Sequence, residues 1–482
     1  MLSLSVSIAN MHSRLKSIAS LLIAALALSG CSSQQSQPEG YVDQVGVQLF
    51  MYNWDSVANE CEYLGEIGVD WALVAPPQEH ILGDTWWTIY QPVSYQLESR
   101  FGTREEFAQM VKTCGDNGVD IIADAVINHM ANNNGFGFAG TEFTKYDYPG
   151  LYSLEDFHDC NLTFDDSIQN YSDKAEVQTC ELLGLPDLDQ SRPNVQEKIL
   201  AYLNDLISLG VKGFRFDAAK HMAAEDLQTI VDQLPAGTRI IHEVIRGAGE
   251  PIQPEDYLGS GDAWEFTYAH ALKSYMEMEM MVPEGLDLRY IGHVPSESAV
   301  SFVSNHDTER NGKTLNYNNM VDFELATMLL LAENYGQPML YSSYAFAGHD
   351  DGPNQTEAGV DDVSCEVDES GHSAVKDGYA PGEWICQHRF ASTKAMLKFR
   401  SAVIGTSVDQ VYQVDSSFGF SRGDKALFVM NVSSTQEAAI EMATSLKDGE
   451  YLDVLSGEKY EVSGGKFVTN LPAKSAIALI KG

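Results

Sequence analysis

Apolar residues along the chain fall into a repeated two-part unit. Residues 195–209 show it best. Apolar side chains at 195, 199, 200, 203, 206 and 207 follow the helical period, and Gly210 then leads into the apolar run 211–216. The same succession recurs at 57–67 through Gly68 into 69–74, at 107–114 through Gly118 into 119–126, and at 227–234 into 240–245. Amphipathic helices alternating with short apolar strands imply a parallel sheet. Such units in a chain of 482 residues predict an α/β fold of the (β/α)8 TIM-barrel type, which needs roughly 250 residues.

Two stretches break the rhythm. Residues 131–192 hold no helix–strand unit and are rich in Gly, Asn, Asp and Tyr. So long an irregular stretch is read as a functional inserted domain after the third strand. Beyond 403 the pattern becomes short alternating strands such as 426–432 and 475–480, separated by turn residues. That predicts a C-terminal antiparallel β domain, a β-sandwich over 403–482. The barrel is then expected in two parts, 41–130 and 193–402.

The N-terminus reads as an export signal. Arg14 and Lys16 precede an apolar run over 18–28, too short for a spanning helix of roughly 20 residues but suited to a signal peptide. The run ends in Leu28-Ser29-Gly30-Cys31, which resembles a bacterial lipobox and implies lipidation of Cys31. Residues 1–30 are then a leader and 31–40 a flexible tether. The chain has seven cysteines. With Cys31 lipidated, Cys61, Cys114, Cys160, Cys180, Cys365 and Cys386 remain, enough for three disulfides in an oxidising compartment. None has the CxxC spacing of a zinc or redox site. The expectation is an exported protein of the cell envelope, monomeric, touching the membrane only through its lipid anchor.

Charge narrows the partners. Thirty Lys+Arg against 69 Asp+Glu give a net charge of −39, a field that repels nucleic acid and anionic membranes. It suits a neutral or cationic ligand, a divalent metal, or salty surroundings.

Four strand ends carry polar residues that the strands do not need. They are Asp124-Ala-Val-Ile-Asn128-His129, Gly213-Phe-Arg215-Phe-Asp217-Ala-Ala-Lys220-His221, Glu243-Val-Ile, and Phe302-Val-Ser-Asn305-His306-Asp307. A strand-terminal Asp on its own commonly caps the next helix. Together, in this order, the four segments resemble the signature segments of the α-amylase family of glycoside hydrolases, from about residue 41 to the end. Trp86-Trp87-Thr-Ile-Tyr90-Gln91-Pro-Val-Ser-Tyr resembles the animal-type group, which also occurs in bacteria.

The resemblance implies roles for these residues. Asp217 is the nucleophile, Glu243 the general acid and then base, and Asp307 a transition-state stabiliser. The expected activity is retaining endo-hydrolysis of α-1,4-glucosidic bonds in starch, glycogen and related α-glucans. The alternatives are a maltogenic or glucan-transferring enzyme of the same family, or a non-catalytic surface glucan-binding lipoprotein. Arg215 shares a barrel face with Asp217 by strand alternation and is expected to keep it ionised, while the other carboxylates raise the pKa of Glu243. His129 and His306 match residues that bind sugar hydroxyls. Trp86, Trp87 and Tyr90 match a stacking platform supported by Gln91, and two adjacent Trp cannot share one strand face. Lys220 and His221 match the leaving-group side.

The resemblance also implies ions. A calcium site would take the side chains of Asn128 and Asp187 and the backbone carbonyls of Gln178 and His221, since calcium prefers oxygen ligands. The acidic run 349–369 is read as a solvated loop rather than a second metal site. Animal-type members bind chloride with two basic residues and an Asn. Arg215 and Asn305 match two of these, but the third position, aligned at Ala345, has no charge, so activity without chloride is expected. The segment after Asp307, Thr308-Glu309-Arg310-Asn311-Gly312-Lys313, lacks the family's longer Gly-rich loop.

Overall fold

The computed structural model describes residues 43–279, 293–376 and 378–481. The leader, the tether and Cys31 lie outside these residues.

Eight parallel strands close into a barrel: β1 (Gly46–Leu49), β2 (Trp71–Val74), β3 (Asp120–Ala125), β4 (Gly213–Phe216), β5 (Arg239–His242), β6 (Asp262–Glu265), β7 (Ala299–Phe302) and β8 (Gln337–Tyr344). Closure is direct, because β1 pairs with β8, Val47 opposite Leu340, as well as with β2. The helices are those the periodicity predicts: α1 (Trp54–Ile67), α2 (Arg104–Asp116), α3 (Pro193–Ser208) and α4 (Ala224–Val231), followed by α5 (Phe266–Glu277), α6 (Met320–Ala332) and α7 (Ala391–Ala402). Between β5 and β6 the regular element among the described residues is only a 3-10 turn, Pro254–Tyr257.

Local chemistry sets the boundaries. Asn53 accepts from the Ser56 amide at 2.8 Å to start α1, and Gly68, at φ 87, ends it in the left-handed region that glycine enters freely. At Gly213 a Cβ would stand 2.3 Å from the Arg239 carbonyl, so β4 can lie this close to β5 only with glycine there.

Inside the barrel Trp71, Leu73, Ile122, Ile241, Trp264, Phe302 and Met339 form one buried cluster. The interior is thus a packed core, and chemistry is confined to the strands' C-terminal ends. The insert between β3 and α3 contains a two-stranded ribbon (Gly135–Phe136 with Glu142–Phe143) and a short helix, Lys174–Thr179.

After α7 the chain forms β9 (Val408–Val414), β10 (Ser417–Arg422), β11 (Ala426–Asn431), β12 (Ala438–Ala443), β13 (Gly449–Asp453), β14 (Lys459–Ser463), β15 (Lys466–Leu471) and β16 (Ser475–Ile480). They make one antiparallel sheet in the order β9-β10-β11-β16-β13-β14-β15-β12. On β11 and β16, Leu427, Val429, Ile477 and Leu479 face the domain's own core, while Phe428, Met430, Ala478 and Ile480 pack on the barrel core. Burial on both faces explains why these strands read as continuous apolar runs. Arg422 on β10 fastens the junction by donating to the carbonyls of Ala332 and Glu333 at the end of α6.

The six remaining cysteines pair as Cys61–Cys114, Cys160–Cys180 and Cys365–Cys386. The first ties α1 to α2 and the second closes a loop of the insert. Most of the acidic run 349–369 is exposed. No helix among the described residues is long and apolar enough to cross a membrane.

Candidate active site

The strand-end motifs converge. Arg215, on β4 and fully buried, is the hub. Its Nη1 donates to Asp124 Oδ1 on β3 at 2.8 Å and to Asp217 Oδ1 just past β4 at 2.7 Å. Its Nη2 lies 2.9 Å from Glu243 Oε2, just past β5. The Ala218 amide donates to the same Glu243 oxygen at 2.7 Å. Ala218 stands at φ 50, in the left-handed region uncommon for a residue with a side chain. Such strain is tolerated where the surroundings over-determine it. Asp307, just past β7, completes the group, near enough for its charge to act on the Glu243 carboxyl.

Three carboxyls therefore share one guanidinium, with Asp307 as a fourth beside them. Two like charges about 4 Å apart cost about 4 kcal/mol at an effective dielectric near 20, roughly three pKa units, so the cluster cannot ionise fully near neutrality. Burial pushes the Glu243 carboxyl up, Asp307 adds to the rise, and Arg215 opposes it. Burial likewise raises Asp307. For Asp217 the expectation from sequence was incomplete. Arg215 does favour its ionised form, but burial and the charges of Glu243, Asp124 and Asp307 outweigh it, and the pKa rises. One arginine is shared too widely to serve Asp217 alone.

His306 is buried with its ring stacked between Phe50 at 4.8 Å and Tyr90 at 5.1 Å. Tyr90 also donates its hydroxyl to Asp124 at 2.9 Å. Trp86 and Trp87 sit on a 3-10 turn, Trp86–Tyr90, rather than on a strand, and three residues per turn separate their rings. Trp86 is 9% exposed and Trp87 half-buried. Gln91 accepts from the Asn132 amide at 3.3 Å, which pins the start of the insert.

The other predicted residues are held mainly by protein partners. His129 uses Nε2 on the Tyr90 carbonyl at 2.9 Å and places Nδ1 3.3 Å from Asn128 Nδ2. Lys220 donates to the Ile245 carbonyl at 2.8 Å and pairs with Glu250. His221 donates from Nδ1 to the Val177 carbonyl at 3.1 Å. Asn305 accepts from the amides of Asp307 and Thr308, which shapes the turn that presents Asp307.

Several residues at the site escaped the sequence reading. Gln48 on β1 touches His306, and Trp264 on β6 faces the Arg215 guanidinium at 4.8 Å. Arg310 stacks 3.9 Å from Phe346 and 5.3 Å from Trp86, and it donates to the His349 carbonyl that also accepts the Trp86 indole. Tyr171, 38% exposed on the insert, lies against Lys220 and His221.

Two ion-binding expectations can be tested on donor chemistry. Asn128 Oδ1 and Asp187 Oδ1 are buried without a hydrogen-bond partner, while His158 holds the other Asp187 oxygen at 2.7 Å. Burial raises the Asp187 pKa to about 7. Two orphaned oxygens, one from β3's end and one from the insert, fit a hard cation. For chloride, Arg215 Nε and Asn305 Nδ2 are buried donors without hydrogen-bond partners. The β8 residue in the barrel-interior cluster with Trp264 and Phe302 is Met339, whereas Ala345 follows the strand's end. Neither position offers a charge.

A parallel barrel whose strand ends gather carboxyls around one arginine, beside an aromatic platform, is the architecture of a glycoside hydrolase. Known proteins agree. The description "Alpha amylase, catalytic domain" matches residues 50–281, and "Alpha amylase, C-terminal all-beta domain" matches 409–479. The chain is 42% identical over 467 residues to an alpha-amylase of Streptomyces violaceus, covering 95% of this chain and 77% of that protein. It is 38% identical over 451 residues to the alpha-amylase-related protein of Drosophila melanogaster, covering 88% of each. The crystal structure of alpha-amylase I from Eisenia fetida superposes with a TM-score of 0.81 at 30% identity, covering 91% of this chain and 97% of that one. A mutant of that enzyme has been solved in a maltohexaose complex, with a TM-score of 0.79. The chain belongs to the alpha-amylase family.

Proposed function

We propose that the protein hydrolyses internal α-1,4-glucosidic bonds of starch, glycogen and related α-glucans with retention of configuration. The observation that carries this is the placement of Asp217 and Glu243 on adjacent nitrogens of the Arg215 guanidinium. That arrangement supports the close pairing, about 5 Å, that a retaining mechanism uses. In the reactive form Glu243 carries the proton and Asp217, which accepts from Arg215 Nη1, is the carboxylate: Glu243 gives its proton to the leaving glycosidic oxygen as Asp217 attacks the anomeric carbon. The glycosyl–Asp217 ester is then cleaved by a water whose proton returns to Glu243, restoring both groups. Asp307 and His306 flank the acid and suit sugar hydroxyls, and Trp86, Trp87 and Tyr90 offer ring faces to glucose units. The maltohexaose bound by the Eisenia fetida relative supports an α-glucan as substrate.

The glucan-transferring alternative shares the ester intermediate and differs only in the acceptor. A non-catalytic glucan-binding role is disfavoured because all three carboxylates are present. Asn128 and Asp187, with the carbonyls of Gln178 and His221, would hold calcium, whose contribution is to tie the insert to the barrel beside Asp217. Export and anchoring through Cys31 rest on residues 14–31 alone.

The test is incubation of the purified protein with soluble starch, following reducing ends, product lengths and product anomer. Short oligosaccharides released as α-anomers are expected. β-Anomers would refute retention, and disproportionation without net reducing ends would favour transfer.

A further inference from the structure

Gln48 occupies β1, 3% exposed, far in sequence from every motif that defines the site. Its Nε2 lies 3.0 Å from His306 Nδ1, and its Oε1 has no hydrogen-bond partner among the described residues. The imidazole has no freedom to turn, because Phe50 and Tyr90 stack on its two faces and Trp86 meets it edge-on at 5.8 Å. Its other nitrogen, Nε2, stands 3.6 Å from Asp307 Oδ2.

Two arrangements of protons fit the Gln48 contact. Either the amide N–H donates to a bare Nδ1, leaving the proton on Nε2, or the amide is turned and Nδ1–H donates to Oε1, leaving Nε2 bare. Both leave one half of the buried Gln48 amide unpaired, so that count does not choose between them. The far side of the ring does. At 3.6 Å the preference is electrostatic: a bare Nε2 would turn a lone pair toward the Asp307 carboxyl oxygen, whereas Nε2–H turns its partly positive hydrogen toward it. Arg215 and Arg310 lie near the ring and oppose a second proton, Glu243 favours one, and burial leaves the ring neutral.

We propose that Gln48 is a positioning residue that sets the tautomer of His306, so that the cleft meets an Nε2–H donor beside Asp307. A histidine whose far nitrogen is fixed by a partner presents one defined donor, and an enzyme with the wrong tautomer loses rate while keeping its fold. The consequence for turnover rests on the glucanase reading above. The tautomer itself does not.

The test uses the full chain with 15N-labelled histidine, the His306 signals being those lost in His306→Gln. In the wild type, long-range proton–nitrogen spectra are expected to show a neutral ring protonated at Nε2. Gln48→Glu replaces the donor by an acceptor. It should raise the His306 pKa and, on deprotonation, leave the proton on Nδ1. Below that pKa the imidazolium still offers Nε2–H; above it the donor is lost. The basic limb of the Gln48→Glu rate profile should therefore move acidward by at least about one pH unit. Gln48→Met keeps the volume but removes the donor, and should lower kcat at least about tenfold with an unchanged Tm. A wild-type ring protonated at Nδ1, or a Gln48→Glu spectrum unchanged from wild type, would overturn the proposal. So would a Gln48→Met enzyme with wild-type kcat. If the chain proved not to cleave glucans, the spectra would still decide the tautomer.

Discussion

Arg215 Nη2 and Glu243 Oε2 are 2.9 Å apart, and the same carboxyl oxygen also accepts the Ala218 amide. An oxygen that already accepts an amide and faces the guanidinium charge is the poorer place for a proton, so the acidic hydrogen of Glu243 belongs on Oε1. Arg215 thus orients the acid without ionising it, because burial and the neighbouring Asp307 keep its pKa raised. The left-handed turn at Ala218 aims the amide that fixes this orientation.

Replacing Glu243 by Gln removes the transferable proton, and replacing Asp217 by Asn removes the nucleophile. Each variant should lose at least about 10³-fold in kcat on starch while still binding maltooligosaccharide by calorimetry. Near-normal turnover in either would overturn the assignment.

The same substitution should stabilise the fold at neutral pH. A carboxyl raised on folding keeps its proton while the unfolded chain ionises. The folded state then binds more protons, and stability falls as pH rises from the ordinary Glu range through the folded pKa. Glu243→Gln lifts that penalty. Its Tm should match wild type near pH 4 and exceed it by a few degrees near pH 8. A lower Tm at pH 8 would show that the Arg215 contact outweighs burial.

Asn128 Oδ1 and Asp187 Oδ1 lack partners in a buried place where β3's end meets the insert. Chelation should lower both Tm and activity, with recovery on adding calcium. Asn128→Ala should bring the chelated Tm and the calcium-loaded Tm together. Indifference of the wild type to chelator would remove calcium from this site.

Replacing chloride by gluconate at equal ionic strength should leave the rate within about twofold, since β8 carries no cation to complete an anion site. Strong activation by chloride would mean that Arg215 Nε and Asn305 Nδ2 suffice.

The surplus of acids predicts salt tolerance. Raising NaCl from dilute buffer to about 0.5 M shortens the screening length and relieves self-repulsion, so Tm should rise or hold. A steady fall would assign the charge to local ion pairs instead.

Much of this protein is legible in one dimension. Helix α3 and strand β4 follow from a period of 3.6 giving way to a short apolar run, because burial of one face dictates that spacing wherever the element ends up. Asp217, Glu243 and Asp307 are legible because each sits one or a few residues beyond a barrel strand, where the fold delivers side chains to a common rim. The insert between β3 and α3 shows itself as a loss of period, although its pairing of Cys160 with Cys180 does not.

What only the tertiary structure decided is who faces whom across the barrel. Gln48 and His306 are 258 residues apart in sequence and 3.0 Å apart in space, joined by the closure of β1 onto β8 and by no local pattern. The sharing of Arg215 among Asp124, Asp217 and Glu243 likewise needs three strands in register. With it comes the reversal in direction for the Asp217 pKa. Sequence carries periodicity and residue type, which bind locally through burial. Proton affinities depend on the summed field of groups from many strands, and that sum exists only once the barrel has closed.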